Sequence, residues 1–375
     1  MKFKCKTETF ANAIRLVSKA VSNKRTLSMI PILEGIKIVA KEDGLIISAT
    51  NIDIFIQKTI KAEILLEGAT VVTSKHFDEF LSRLTATEEI EVEKTEKESL
   101  VITYGENKTE FMCADAKAYP VMQQVDDDIS FKIKAKDLKE LIEKTIFCVS
   151  QENSRPILKG ALLELEDGLL KSVALDGHRL SYGERKIIES KGALRKVILG
   201  KNLAELVKAL ESDDKVVKVN VQRNNILFDM DDTKITMVEL QGEYLKYQEV
   251  IPKKSNIDLV IEKEKLISTL ERTGILAREN NRNYVTMTLK ENIVEINVTG
   301  IQGRMTEKIA VQRSGEEREI TIAFNNRYIL EPISKIDQDY IIFKIEQENK
   351  PIIIHGAGEA EEQGKFMYMV LTIRT

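Results

Sequence analysis

Three histidines, His76, His178 and His355, are the side chains of this chain best suited to proton transfer or metal ligation near neutral pH. They lie far apart in sequence, and none stands at a spacing typical of metal ligands. The run His355-Gly356-Ala357-Gly358 lacks the Gly-Lys-Ser/Thr ending of a phosphate loop and reads as a hairpin loop. Glu361-Glu362 falls in a polar stretch and reads as solvated charge rather than an acid/base pair. One run stands out, Asp176-Gly177-His178-Arg179-Leu180, which closes a strand. As local structure it is an Asp-Gly turn whose polar residues face water. An enzyme centred on His178 and Asp176 would lack a nucleophile or metal set, so no catalytic residue, metal or cofactor is expected.

The elements around this run repeat. Phe3-Lys4-Cys5-Lys6, leading into a helical pattern at Phe10, recurs as Phe131-Lys132-Ile133-Lys134 before Leu138, a shift of 128, and again as Leu259-Val260-Ile261-Glu262 before Leu266. Pro31-Ile32-Leu33-Glu34-Gly35 recurs as Pro156-Ile157-Leu158-Lys159-Gly160, a shift of 125. Asp43-Gly44-Leu45 and Asp167-Gly168-Leu169 mark matching turns, with Glu291-Asn292-Ile293 in the third place. Val71 to Lys75 leads into Phe77, Phe80, Leu81 and Leu84, and Val197 to Lys201 leads into Leu203, Leu206, Val207 and Leu210. Both follow the spacing of an amphipathic helix. Ile320-Thr321-Ile322 leads into Tyr328, Ile329, Ile333 and Ile336, where Pro332 should shorten or kink the helix. Runs such as Ile36/Ile38, Ile54/Ile56, Glu89 to Val92 and Leu100 to Thr103 read as strands. The predicted fold is α+β, three tandem repeats of two helices on antiparallel sheets. Polar linkers at Asp126 to Asp128 and Pro252 to Asn256 place domains at 1–128, 129–253 and 254–375.

Composition agrees with a globular chain: 375 residues, 43% hydrophobic and 31% charged, with net charge −4. No apolar run approaches the ~18 residues a membrane helix needs, and the Met1 to Cys5 stretch has no signal-peptide core. Cys5, Cys113 and Cys148, an odd set without CxxC spacing, fit packed thiols in a reducing compartment. A soluble cytoplasmic protein is expected.

Charge is expected to segregate. A first helix from about Thr9 to Ser22, with its exit at Arg25, carries Arg15, Lys19, Lys24 and Arg25 and no acid, opposite a stripe of Phe10, Ala13, Ile14, Val17 and Val21. The other five helices are mixed. Together the six carry an excess of six positive charges, leaving −10 elsewhere. Each helix alone reads as a solvated face; the consistent sign favours one face meeting a polyanion.

The whole chain resembles the bacterial β sliding clamps, processivity subunits of the replicative DNA polymerase. The resemblance rests on the Met-Lys-Phe start, Pro31-Ile32-Leu33, Arg155 to Gly160, Asp176 to Leu180, Tyr244 to Pro252, and Tyr368-Met369-Val370-Leu371-Thr372-Ile373-Arg374. It implies a head-to-tail homodimer, six domains closing as a ring around duplex DNA with twelve helices lining the hole. It implies a joint at Phe111, in the strand Lys108 to Met112, and at Ile275 with Leu276. It also implies a partner-peptide pocket of Arg155, Leu158, Leu175, Gly177, His178, Arg179, Leu180, Val250, Met369, Val370, Leu371, Ile373 and Arg374. Leucine and phenylalanine anchors would enter its apolar part. Leu175 departs from a frequent threonine, Leu245 and Thr372 from frequent prolines, and Glu249 from a basic residue. DNA-facing candidates are Arg15, Lys19, Lys24, Arg25, Lys201, Lys208 and Arg272, in sequence-independent, salt-sensitive contact. Implied partners are double-stranded DNA, a second copy, the clamp loader and the polymerase α subunit. Other polymerases, ligase and mismatch-repair proteins are further expected partners; a membrane is not. A peptide-binding scaffold that has lost its basic lining is the alternative reading.

Overall fold

The computed structural model describes residues 1–21, 30–84, 88–120, 129–152, 154–210, 215–280, 283–358 and 364–374. Lys24, Arg25 and the Asp126 to Asp128 linker lie outside them.

The chain runs three times through the same order of one strand, one helix, five strands, one helix and three strands. In the first pass these are Lys2–Lys6, α1 (Thr7–Ser18), Gly35–Lys41, Gly44–Thr50, Ile54–Ile60, Glu63–Leu66, Gly68–Thr73, α2 (Ser74–Ser82), Glu89–Lys94, Ser99–Tyr104 and Asn107–Ala114. The second comprises Ile129–Lys134, α3 (Ala135–Glu143), Gly160–Glu166, Leu169–Leu175, Arg179–Lys186, Glu189–Lys191, Leu194–Leu199, α4 (Gly200–Ala209), Val216–Val221, Asn225–Asp229 and Thr233–Val238. The third comprises Ile257–Glu262, α5 (Lys263–Ala277), Tyr284–Lys290, Ile293–Thr299, Arg304–Ala310, Gln312–Gly315, Ile320–Asn325, α6 (Asn326–Ile333), Tyr340–Ile345, Ile352–Gly356 and Phe366–Val370.

The apolar stripe of α1 is buried as its spacing predicts: Phe10, Ala13, Ile14 and Val17 are closed to solvent, and the Phe10 ring lies 5.7 Å from Phe3 and 6.1 Å from Phe77. Truncating Phe10 to alanine would cost about 4 kcal/mol. The helix starts two residues earlier than Thr9 and ends at Ser18. No side chain caps it; the strand before it runs straight in, and Thr7 N–H donates to the Glu88 carbonyl at 2.9 Å. In α6, Asn325 caps the start by accepting from the Arg327 N–H, and Pro332 sits next to last in a helix of 8 residues. The proline shortens the helix, as expected from its missing donor.

Contacts divide the chain into two compact units that follow the sheets: 1–136 with 188–192 and 205–239, and 137–187 with 193–204 and 240–375. The first holds one sheet of 14 strands, the second sheets of 9 and 4 strands. Each unit contains a seam where two repeats share a sheet. In the first, Ile54–Ile60 pairs antiparallel with Thr233–Val238, setting Phe55 opposite Thr236. In the second, Arg179–Lys186 pairs with Phe366–Val370, setting Leu180 opposite Met369. The fourth strand of one repeat thus meets the last strand of the next. Among the described residues, two strands of these types have no such partner. Arg304–Ala310 ends the smaller sheet. Asn107–Ala114 pairs along its length only with Ser99–Tyr104, and touches Gly68–Thr73 through Ala114 and Cys113 alone.

Candidate functional site

The Asp176 turn is built by its own first side chain. Asp176 Oδ1 accepts from the N–H groups of His178 and Arg179 at 2.9 and 3.0 Å, and Gly177 takes φ 93, which glycine tolerates without a Cβ penalty. Beyond it, Leu371 N–H donates to the His178 carbonyl at 2.9 Å, so the C-terminal segment extends the seam. The exposed His178 ring stacks on Tyr328 of α6 at 5.8 Å.

Side chains alternate along a strand, and this divides the expected pocket residues. Leu158, Leu175, Leu180 and Met369 share one buried cluster with Leu162, Val173, Val197, Tyr244, Tyr247 and Ile353. Val250, Leu371 and Ile373 are 38–40% exposed. Arg155 and Arg374 are exposed, Arg155 at the entry to the turn Pro156–Lys159. Arg179 and Val370 stand apart from these residues. They sit opposite each other in the seam on the face away from Leu180 and Met369, and neither is open to a ligand. Val370 is fully buried. The Arg179 guanidinium pairs with Asp176 at 3.0 Å and with Glu331 of α6, donates to the Phe147 carbonyl at 3.3 Å, and lies over the Tyr328 ring at 4.8 Å. Arg179 therefore holds the turn that presents His178 rather than reaching for a ligand. Burial opposes ionisation of Glu331, but Arg327 and Arg179 outweigh it and keep the carboxyl below its ordinary range.

Beside the cluster opens a cleft of about 860 Å³, lined by Tyr182, Tyr247, Ile251, Ile353 and Met367, with Lys171, Lys344 and Lys365 around it. Sequence reasoning missed these residues. A signal existed: Tyr182 and Met367 lie two residues along their strands from Leu180 and Met369, hence on the same face. Within the cluster, Tyr244 donates towards the Gly160 and Val173 carbonyls at 3.4 and 3.2 Å.

The charge expectation changes more. Because α1 begins at Thr7, it includes exposed Glu8, and its solvent face is not purely basic. Within their observed bounds the six helices carry ten basic and ten acidic side chains, so the excess of six disappears. The difference lies in flanking residues such as Lys19, Arg83, Lys144 and Lys335, and in Lys24 and Arg25. Arg15, Lys19 and Lys201 are exposed and form no ion pair among the described residues. Lys208 pairs with Glu205 at 3.0 Å, and Arg272 grips Glu307 through two nitrogens.

At the expected joint, the Phe111 ring packs edge-on against Phe77 and tilts against Phe80, 5.2 and 5.3 Å away, on the open strand Asn107–Ala114. Ile275 is 64% exposed near the end of α5, with Leu276 half-buried. The turn between Ile293–Thr299 and Arg304–Ala310 adds Ile301, 83% exposed, held by Glu279 accepting from the Ile301 and Gln302 N–H groups at 2.7 and 3.1 Å. No periodic pattern marks this residue. Cys5 and Cys148 are buried thiols, both pushed up to about 12 by burial. Among the described residues no helix is long and apolar enough to cross a membrane, and no group of three His, Cys, Asp or Glu is placed to hold a metal.

Comparison with known proteins agrees across the chain. Family models for the DNA polymerase III beta subunit match in order: the N-terminal domain at residues 1–123, the central domain at 132–246 and the C-terminal domain at 248–370. The chain is 30% identical to the beta sliding clamp of Halalkalibacterium halodurans over 94% of its own length and 95% of that protein's. It is 29% identical to the Bacillus subtilis beta sliding clamp over the full length of both. The crystal structure of the DNA polymerase sliding clamp from Bacillus subtilis superposes with a TM-score of 0.94 at 27% identity, covering 100% of this chain and 99% of the other. By sequence along its whole length and by the course of its backbone, this chain belongs to the bacterial DNA polymerase III β subunits, the β sliding clamps that act as polymerase processivity factors.

Proposed function

We propose that two copies of this chain join head to tail into a ring of six repeats around duplex DNA, which tethers the polymerase without catalysing a reaction. The observation that carries this reading is the pair of strands that each keep an open edge among the described residues. Asn107–Ala114 and Arg304–Ala310 are the two types that meet in both internal seams. An open edge is a template for pairing, and a head-to-tail contact that closes by rotation gives a ring. Phe111, Ile275, Leu276 and the exposed Ile301 flank this joint. The three domains are 1–128, 129–253 and 254–375.

Partner peptides dock at the cluster of Leu158, Leu175, Leu180 and Met369, with Val250, Leu371 and Ile373 at its rim and Gly177, His178, Arg155 and Arg374 beside it. Clamp loader, replicative polymerase, other polymerases, ligase and mismatch-repair proteins share this site, in the cytoplasm. DNA meets Arg15, Lys19 and Lys201, with Lys24 and Arg25; Lys208 and Arg272 contribute less because carboxylates already neutralise them. The contact is electrostatic and falls steeply with salt.

The deciding experiment is loading onto nicked circular DNA. The expected result is retention that is lost when the circle is linearised, because linkage rather than affinity holds a ring. Retention on neither form favours a peptide-binding scaffold without a DNA role, a second reading supported by the charge balance of the helices. Replacing Ile275 and Leu276 with alanine should give monomers in sedimentation. Replacing Met369 and Leu371 with alanine should abolish binding of a clamp-binding peptide; unchanged binding would move the pocket elsewhere.

A further inference from the structure

The internal seams also fix how the two open strands must align, and we infer that Arg304 of one copy stands directly opposite Glu110 of the other, as a charge pair that sets the register of the dimer. This rests on the head-to-tail reading above. Two landmarks carry the count. The first is the hairpin before the fourth strand, which closes at Thr50 opposite Phe55, at Leu175 opposite Leu180 and at Thr299 opposite Arg304, each across a four-residue turn. Phe55, Leu180 and Arg304 are therefore equivalent. The second is where the end of the last strand, or the segment just after it, touches the strand that precedes the second helix. Ala114 pairs with Val71, Leu240 N–H donates to Val197 at 2.8 Å, and Ile373 N–H donates to Ala323 at 2.7 Å. Val71, Val197 and Ala323 each stand three residues before a helix start. Counting four residues back from these contacts gives Glu110, Thr236 and Met369.

In the two seams that exist, the equivalent residues face each other: Phe55 opposite Thr236, and Leu180 opposite Met369. The third pair is Arg304 and Glu110. Opposed residues must point to the same face, and these do. Phe111 turns towards α2, so Glu110 points away from the helices. Glu307 turns towards Arg272 of α5, so Arg304 also points away. Both are exposed and form no ion pair among the described residues. The same count sets Met305 opposite Thr109. Hydrogen bonds from Val238 N–H to Asp53 and from Leu371 N–H to His178, both 2.9 Å, fix the alternation. Arg304 and Glu110 then fall at a hydrogen-bonded position, and Met305 and Thr109 at the closer one between bonded pairs.

The test uses the full chain. Glu110→Arg and Arg304→Glu each place like charges at both joints, and each should weaken the dimer about tenfold per joint, about a hundredfold in all. Mixing the two variants should restore dimers, because every joint then pairs unlike charges; restoration also shows that both variants fold. With Cys113→Ser to remove the native thiol on that strand, Thr109→Cys with Met305→Cys should cross-link across the joint under mild oxidation, and Glu110→Cys with Met305→Cys should not. Cross-linking only at the slipped pair, or no recovery on mixing, overturns the register while the dimer stands. A wild-type chain that sediments as a monomer at every concentration overturns the head-to-tail reading itself.

Discussion

The seam at Ile54–Ile60 and the seam at Arg179–Lys186 share a register but not a filling. Both begin with the same turn: Asn51 Oδ1 accepts from the Asp53 and Ile54 N–H groups at 3.1 and 3.0 Å, as Asp176 does from His178 and Arg179. Both rest on a buried tyrosine that donates to a glycine carbonyl, Tyr119 to Gly35 at 3.1 Å and Tyr244 to Gly160 at 3.4 Å. At the next position they part. Ile54 is 1% exposed and apolar; Arg179, in the same place, draws Asp176 and Glu331 around a buried guanidinium. Around Tyr244 lies a broad apolar cluster with a cleft beside it, whereas the described cluster at Tyr119 is small. One plan thus serves as a plain joint in one place and as a joint with a docking surface in the other.

The largest expected effect comes from that shared position. Arg179→Ala should cost about 4 kcal/mol by leaving Asp176 without its ion-pair partner and Glu331 with Arg327 alone, and Ile54→Ala about 3 kcal/mol by opening a cavity. Urea unfolding measures both. Combining Arg179→Met with Asp176→Asn and Glu331→Gln should recover most of the loss at the second seam; failure to recover would mean that packing, not charge, dominates there.

Acid separates the seams next. Glu331 is held below its ordinary carboxylate range by Arg327 and Arg179 against burial, and Asp232 at the first seam is held down by Lys58 against burial. A depressed folded value gives stability that is present above the unfolded value and is lost as pH falls through the folded one. Stability should therefore decline on acidification at both seams. Glu331→Gln should flatten this decline more than Asp232→Asn, since Asp232 is 50% exposed and screened by water. Equal flattening would remove the distinction.

The smallest effects test the turn. Ile52 carries φ 80 where its counterpart Gly177 carries φ 93. Ile52→Gly should gain up to about 1 kcal/mol by relieving a β-branched residue from left-handed backbone, and Gly177→Ala should lose about 1 kcal/mol. Opposite signs in thermal unfolding confirm the equivalence of the two turns.

The repeats, the strands and the burial of α1 were legible because they rest on local periodicity. What was not legible depends on residues far apart. Arg179 reads as a ligand-facing residue until Glu331, 152 positions away, is seen to hold it. The start of α1 was misplaced because no capping side chain announces Thr7, and that small shift admitted Glu8 and helped to remove a charge excess built on longer helices. Tyr182 and Met367 could have been found by stepping two residues along the strands that carry Leu180 and Met369. The seams themselves leave no local trace.

Seams between distant strands also impose an order on folding. Lys58 meets Thr233 across 175 residues, so the edge of the first repeat stays open during synthesis until the last strand of the second has emerged. The second repeat in turn waits for Phe366–Val370, near the end of the chain. Neither seam closes early, and contacts of such long range are slow to form. A ribosome paused anywhere between them would carry a nascent chain with an exposed strand edge, the state most prone to mispairing with its neighbours.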